Sequence, residues 1–153
     1  MDVSDNKTIL VVDDDPSNLE VLKFLLEFFD YKVLSALDGK EAYETFKNNS
    51  NKIDVVIADL QMPYLNGKEL SKKILEIRAD MPIIICSGSD EEVIEKNLKD
   101  IGVRKFLIKP FDEKALIDTI NKVLTYNWYL TTYFELLAFS GKYFLKRMLP
   151  NFL

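Results

Sequence analysis

Short apolar runs and amphipathic stretches alternate along residues 8 to 124. The apolar runs are Thr8–Val12, Lys32–Ala36, Ile53–Ala58, Pro82–Cys86 and Lys105–Ile108, all rich in β-branched residues. Three of them, reading ILVV, VVIA and IIIC, are almost continuously apolar, the pattern of a strand buried on both faces of a parallel sheet. Between the runs, Ser17–Phe29, Lys40–Asn48, Gly67–Glu76, Glu91–Lys99 and Asp112–Leu124 read as amphipathic helices. In the first, Leu19, Leu22, Leu26 and Phe29 recur at helical spacing, and Pro16 suits a helix start. Strand alternating with helix five times predicts an α/β fold, a doubly wound five-stranded parallel sheet. In such sheets function gathers at the carboxyl ends of the strands.

Those ends carry chemistry. Asp13-Asp14-Asp15 follows the first strand, Asp59 the third, Ser87-Gly88-Ser89 the fourth and Lys109-Pro110 the fifth. A carboxylate at the end of a buried strand is costly unless something neutralises it. Carboxylates gathered at one sheet edge repel one another and suit a cation. Mg2+ binds through one or two carboxylates, keeps several waters and takes phosphate oxygens readily. Beside it, Asp59 could act as a nucleophile toward a phosphoryl group, with Lys109 as second cation and Ser87 as hydrogen-bond donor. Each residue also has a plainer reading. Asp13–Asp15 is also an ordinary acidic turn with Asp15 capping the next helix. Lys109 by itself is a solvated lysine, Ser87, Ser89 or Asp90 a helix cap, Phe106 core, and Cys86 a small buried apolar residue. Trp128 carries no site by itself.

Composition narrows these choices. The chain has 153 residues, 48% of them hydrophobic, which suits one domain with one core. It contains no histidine, which excludes Ser-His-Asp and Cys-His catalysis, His-based metal sites and self-phosphorylation on histidine. Any metal site must therefore be built of oxygen, favouring a hard cation. A single Cys forms no intramolecular disulfide, excludes a Cys-rich zinc site and fits a reducing, cytoplasmic setting. The N-terminus has no signal-peptide pattern, and no uncharged run approaches the ~18 apolar residues of a membrane span. Lys142, Lys146 and Arg147 against Glu135 leave residues 125–153 at +2, so residues 1–124 carry −7 of the net −5. An acidic body argues against general nucleic-acid binding.

Four motifs together, "ILVVDDDP", "VVIADLQMPYLNG", "PIIICSGSD" and "KFLIKPF", resemble the receiver domain of two-component response regulators. They fall in order along roughly residues 7–124, about four fifths of the chain, and predict the flavodoxin-like (βα)5 arrangement with a receiver domain over 1–124. The resemblance implies that Asp59 is the phosphoacceptor. Asp14 is the direct metal ligand, Asp13 acts through water or as a second ligand, and Gln61 offers its backbone carbonyl to Mg2+. Ser87 is the switch hydroxyl, Lys109 pairs with the phosphoryl oxygens before a usually cis Pro110, and Phe106 is the aromatic switch. Function would be phosphoryl acceptance from a histidine kinase or His-phosphotransfer protein on another molecule. The readout would be altered protein–protein contacts through the face at residues 91–124. Two positions depart from the family: Phe106 stands where Tyr is frequent and Gly88 where Ala is common. Gln61 and Ser89 occupy positions that modulate autodephosphorylation.

Two other classes compete. An aspartate-nucleophile phosphatase needs an acid two residues after the nucleophile, where Gln61 has no carboxylic proton. A flavodoxin-type cofactor site needs a Ser/Thr/Gly-rich loop after the first strand, whereas "DDDPS" repels phosphate. The chain is thus expected not to be an enzyme beyond self-catalysed aspartyl phosphorylation and dephosphorylation. A phosphorelay intermediate and a fragment of a longer regulator remain open. Residues 125–153 are expected to form an aromatic, helical extension. Within Trp128–Leu145, eleven residues are Trp, Tyr, Phe or Leu, with Thr131, Glu135, Lys142 and Lys146 on one polar stripe. Such a segment needs cover. Its own receiver, a second copy in a homodimer or a partner, a membrane interface, and an output region beginning here are the alternatives.

Overall fold

The computed structural model describes residues 6–88 and 92–125. Five strands and the helices between them follow in strict alternation: β1 (Thr8–Val12), α1 (Pro16–Phe28), β2 (Lys32–Ala36), α2 (Gly39–Asn49), β3 (Val55–Asp59), α3 (Gly67–Ile77), β4 (Ile83–Ser87), α4 (Glu92–Asp100) and β5 (Lys105–Ile108). A further helix, α5, covers 113–125. All strands pair in parallel, in the order β2-β1-β3-β4-β5. The order reverses at β1, so the chain leaves β1 toward one side and returns as β3 on the other. The carboxyl ends of β1 and β3 therefore flank the crevice in which such sheets place their sites.

Local chemistry sets where the helices begin. Asp15 caps α1 by accepting the Ser17 N–H at 2.8 Å, with Pro16 in the first turn. Asp38 caps α2 through the Glu41 N–H. Asn66 and Glu69 form a reciprocal capping box at α3, at 2.9 and 3.1 Å. These caps satisfy backbone donors that a helix start otherwise leaves without partners.

The strands divide their side chains between two layers with a period of two. Leu10, Val12, Val56, Ala58, Ile83 and Ile85 face α2, α3 and α4, where Phe46, Leu70, Ile74 and Leu98 meet them. Ile9, Val11, Val55, Ile57, Ile84 and Cys86 face α1 and α5, against Leu22, Leu26, Leu116 and Ile120. β1, β3 and β4 are buried on both faces, as their continuous apolar sequence predicts.

Two strand boundaries move. β3 begins at Val55 rather than Ile53 and ends on Asp59; β4 runs Ile83–Ser87 rather than Pro82–Cys86. Ile53 remains buried, but its N–H bonds the carbonyl of Asn49 at the end of α2. Pro82 has no N–H for the ladder and contributes only its carbonyl, to Val56 at 3.0 Å. Asp59 and Ser87 are thus the last residues of strands, not the first of loops. The expected helical extension falls almost wholly outside the described residues, as do Ser89, Asp90 and Glu91. Among the described residues, no helix is long and apolar enough to cross a membrane.

Phe46 is fully buried between α2 and the sheet. Phe46→Ala should cost about 3–5 kcal/mol of stability, read as a lowered urea midpoint at unchanged slope.

Candidate functional site

Asp13 follows β1 directly and is 2% exposed. Its backbone N–H bonds Ala36 of β2, which pins it to the sheet edge. Its two carboxylate oxygens are both engaged: Oδ1 accepts the Asp15 N–H at 2.9 Å and Oδ2 accepts Lys109 Nζ at 2.9 Å. Asp59, the last residue of β3, pairs in register with Cys86 of β4. Its Oδ1 accepts the Gln61 N–H at 3.2 Å and its Oδ2 accepts Lys109 Nζ at 3.0 Å. One ammonium from beyond β5 thus bridges two carboxylates on β1 and β3. Burial disfavours the charge of Lys109, but its hydrogen bonds to Asp13 and Asp59 and their negative charge outweigh this. Together they hold its pKa above the ordinary lysine value.

Asp14 completes the group. It is exposed, and one oxygen from each of Asp13, Asp14 and Asp59 lies within 4.8 Å of the others. Three convergent carboxylates, one of them open to solvent, suit a hard divalent cation and offer nothing to a soft one. Asp15, next in the run, takes the plainer role of helix cap. The acidic stretch therefore splits into site and cap, a division its composition does not reveal.

Ser87 ends β4 one residue beyond the partner of Asp59, and its carbonyl accepts the Lys109 N–H at 2.7 Å. This bond places Lys109 level with the β4 edge. The Lys109–Pro110 peptide is cis. Phe106 lies back in β5 opposite Ile85, half-buried against the α2–α4 layer, with Lys99 Nζ 5.9 Å from its ring centroid. It does not join the carboxylate group. Gln61 does so through its N–H, and its side chain is exposed.

Tertiary structure adds what the motifs do not show. Asp14, Gln61 and Met62 line a groove of about 530 Å³ with Asn66, Lys68 and Asn97. Asn97 comes from α4, far along the chain, and no local pattern marks it. Gly67 starts α3 directly beneath Asp59, where a Cβ would collide with the Asp59 carbonyl oxygen and press on Leu60 Cα. Glycine there lets the β3–α3 loop close under the carboxylate.

Cys86 lies beneath the site in β4, 2% exposed. Burial pushes its thiol up from 9.0 to about 12; the Lys109 charge opposes this, and Asp59 and Asp13 reinforce it.

The chain matches the response regulator receiver domain family over residues 9–121. It belongs to that family. Chemotaxis protein CheY of Thermotoga maritima is 32% identical over 118 residues, spanning 76% of this chain and 97% of CheY. The alkaline phosphatase synthesis transcriptional regulatory protein PhoP of Bacillus subtilis is 32% identical over 119 residues, 78% of this chain. The chain spans about half of PhoP, 49% of its length. A receiver domain structure from Clostridium thermocellum superposes with a TM-score of 0.78 at 34% identity, covering 81% of this chain and 98% of that one. A chain of the CheX–CheY–BeF3–Mg2+ complex from Borrelia burgdorferi gives a TM-score of 0.74 at 26% identity, covering 76% of this chain and 88% of that one.

Packing around the carboxylates sets how substitutions there should behave. Gly67→Ala should destabilise the fold by about 1–3 kcal/mol, because backbone under Asp59 must shift. Gly88→Ala, where an added Cβ meets nothing within 4 Å, should stay within about 0.5 kcal/mol in the same urea titration. Cys86 should resist alkylation in the native state at pH 8 and react on unfolding. Its raised pKa favours the folded state only while the unfolded thiol is neutral, so stability should fall as pH rises from 9.0 towards about 12. Cys86→Ala should flatten that slope.

Proposed function

We propose that this chain is a signalling receiver that takes a phosphoryl group onto Asp59 and changes its protein contacts in response. The observation that carries the reading is the bridge from Lys109 Nζ to both Asp13 and Asp59, at 2.9 and 3.0 Å, beside exposed Asp14. It gathers a nucleophile, a cation and a metal-ready acidic group at one strand edge.

In this reading the donor is a phosphohistidine outside these 153 residues, which contain no histidine. An Asp59 oxygen attacks phosphorus, the P–N bond breaks, and the imidazole leaves with its electron pair. Mg2+, held by Asp13, Asp14, Asp59 and the Gln61 backbone carbonyl, would neutralise the phosphoryl oxygens when bound. Lys109 is already charged and within hydrogen-bond reach of Asp59, so it meets the developing negative charge with little rearrangement. The Gln61 N–H holds the other Asp59 oxygen and orients the carboxylate. The Ser87 hydroxyl, one residue past the strand partner of Asp59, donates to a phosphoryl oxygen.

Switching follows from the same contacts. Once a phosphoryl oxygen draws Ser87, the end of β4 shifts and Phe106, opposite Ile85, changes its packing against the α2–α4 layer. The face of α4, β5 and α5 then presents a different surface to an output protein. The single cysteine, buried and free, suits a cytoplasmic setting. Gln61, lacking an acidic proton, gives no support to a turnover phosphatase.

Incubation with acetyl phosphate and Mg2+ should give a hydroxylamine-sensitive acyl phosphate on Asp59. Asp59→Asn should abolish it, and EDTA should slow its formation by roughly 10²-fold. Unchanged labelling of Asp59→Asn would sink the assignment.

A further inference from the structure

α1 carries a second apolar face. Leu19, Leu22 and Leu26 point into the sheet. On the opposite side Val21, Phe24 and Phe28, spaced by three and four residues, are 66%, 73% and 71% exposed. Two phenylalanines this exposed on adjacent turns put on the order of a few hundred Å2 of apolar surface in water, the size that marks an interaction site. No fold requirement explains them, since α1 is already anchored by its inner leucines.

This stripe is continuous with the end of the described chain. The Phe28 ring stands edge-on to Phe29 at 5.4 Å and 83°. Phe29 and Leu25 pack on the cluster that holds Leu116, Ile120, Val123 and Leu124 of α5. Tyr31 Oη, just past α1, donates to Asn121 Oδ1 of α5 at 3.1 Å. Residue 125 therefore leaves the fold beside the Phe28 end of the stripe.

We propose that residues 126–153 of the same chain dock along the Val21–Phe24–Phe28 stripe of α1. Reach is ample, because the stripe is only about 10 Å long at 1.5 Å per residue. Chemistry matches on both counts. The segment holds eleven Trp, Tyr, Phe and Leu residues within Trp128–Leu145, an apolar surface that itself needs cover. Its Lys142, Lys146 and Arg147 against Glu135 give +2, while Glu20 and Glu27 against Lys23 give α1 −1. An intramolecular partner also has the advantage of effective concentration over any second molecule.

Disulfide trapping in the full chain tests this, since the native Cys86 is buried. Phe24→Cys is combined with one of Tyr129→Cys, Tyr133→Cys, Leu137→Cys or Phe144→Cys, and each pair is oxidised with copper phenanthroline. At least one pair should close within a monomer, identified on non-reducing gels and by the mass of the linked peptides. Lys47→Cys, exposed on α2 in the opposite layer, should give none. A parallel scan from Val21→Cys guards against one disturbed variant, with far-UV circular dichroism confirming the fold of each. Three results would overturn the proposal: no intramolecular disulfide from either α1 position, disulfides only between chains, or equal trapping from Lys47→Cys. The second would assign the stripe to a second copy.

Discussion

The site depends on a lysine held between two carboxylates. Lys109 sits beyond β5, Asp13 beyond β1 and Asp59 at the end of β3, and only the pairing order of the sheet brings them together. Two carboxylates at this spacing, one almost fully buried, would repel each other without a cation. The ammonium neutralises that repulsion and leaves Asp14 outward, available to a metal. Much of the neighbouring construction keeps this arrangement in register. The Ser87 carbonyl fixes the Lys109 backbone, the Asp15 and Gln61 N–H groups hold the remaining carboxylate oxygens, and Gly67 admits the loop beneath Asp59.

That arrangement also explains why a small change at Asp59 can spread. On the proposed reading, a phosphoryl group on Asp59 would add charge and oxygen acceptors where a single lysine now balances two carboxylates. The first elements to feel it would be β4 and β5, which the bond from the Lys109 N–H, just past β5, to the Ser87 carbonyl already ties together. α4 lines the groove beside Asp14 and Gln61 through Asn97, so the acidic edge and the α4 surface share one cleft. Close packing in the layer behind, around Phe46 and Ile74, leaves little room for continuous deformation and favours discrete rearrangement.

α1 connects the two halves of the molecule's chemistry. Its first turn begins at the acidic run, with Asp15 as cap. Its inner leucines pack on the sheet, and its outer face carries apolar side chains that the described fold does not cover. A helix that spends Phe24 and Phe28 on solvent needs a reason outside its own packing, and the chemistry of the chain beyond α5 supplies one.

The five-strand alternation, the doubly buried central strands and the charged residues at the strand ends were legible in the sequence. β-branched apolar runs, helical periodicity and Pro or Asp at helix starts are local signals, and they act over a few residues. The strand ends were less legible: Asp59 and Ser87 read as loop residues but belong to the ladder, because apolarity fades there while backbone pairing continues. The sequence offered Asp13 and Asp14 for the site and Asp15 as a helix cap, and the cap is present. Only the tertiary structure put Asp13 in the buried bridge and Asp14 in solvent, since neighbouring residues of one type part according to strand pleat and turn. Phe106, named with the site from the motif, packs in a neighbouring layer. Asn97, Lys68 and the space Gly67 leaves under Asp59 left no trace in the pattern. The chain order specified which residues stand at strand ends; the reversal of strand order at β1 decided which of those ends meet.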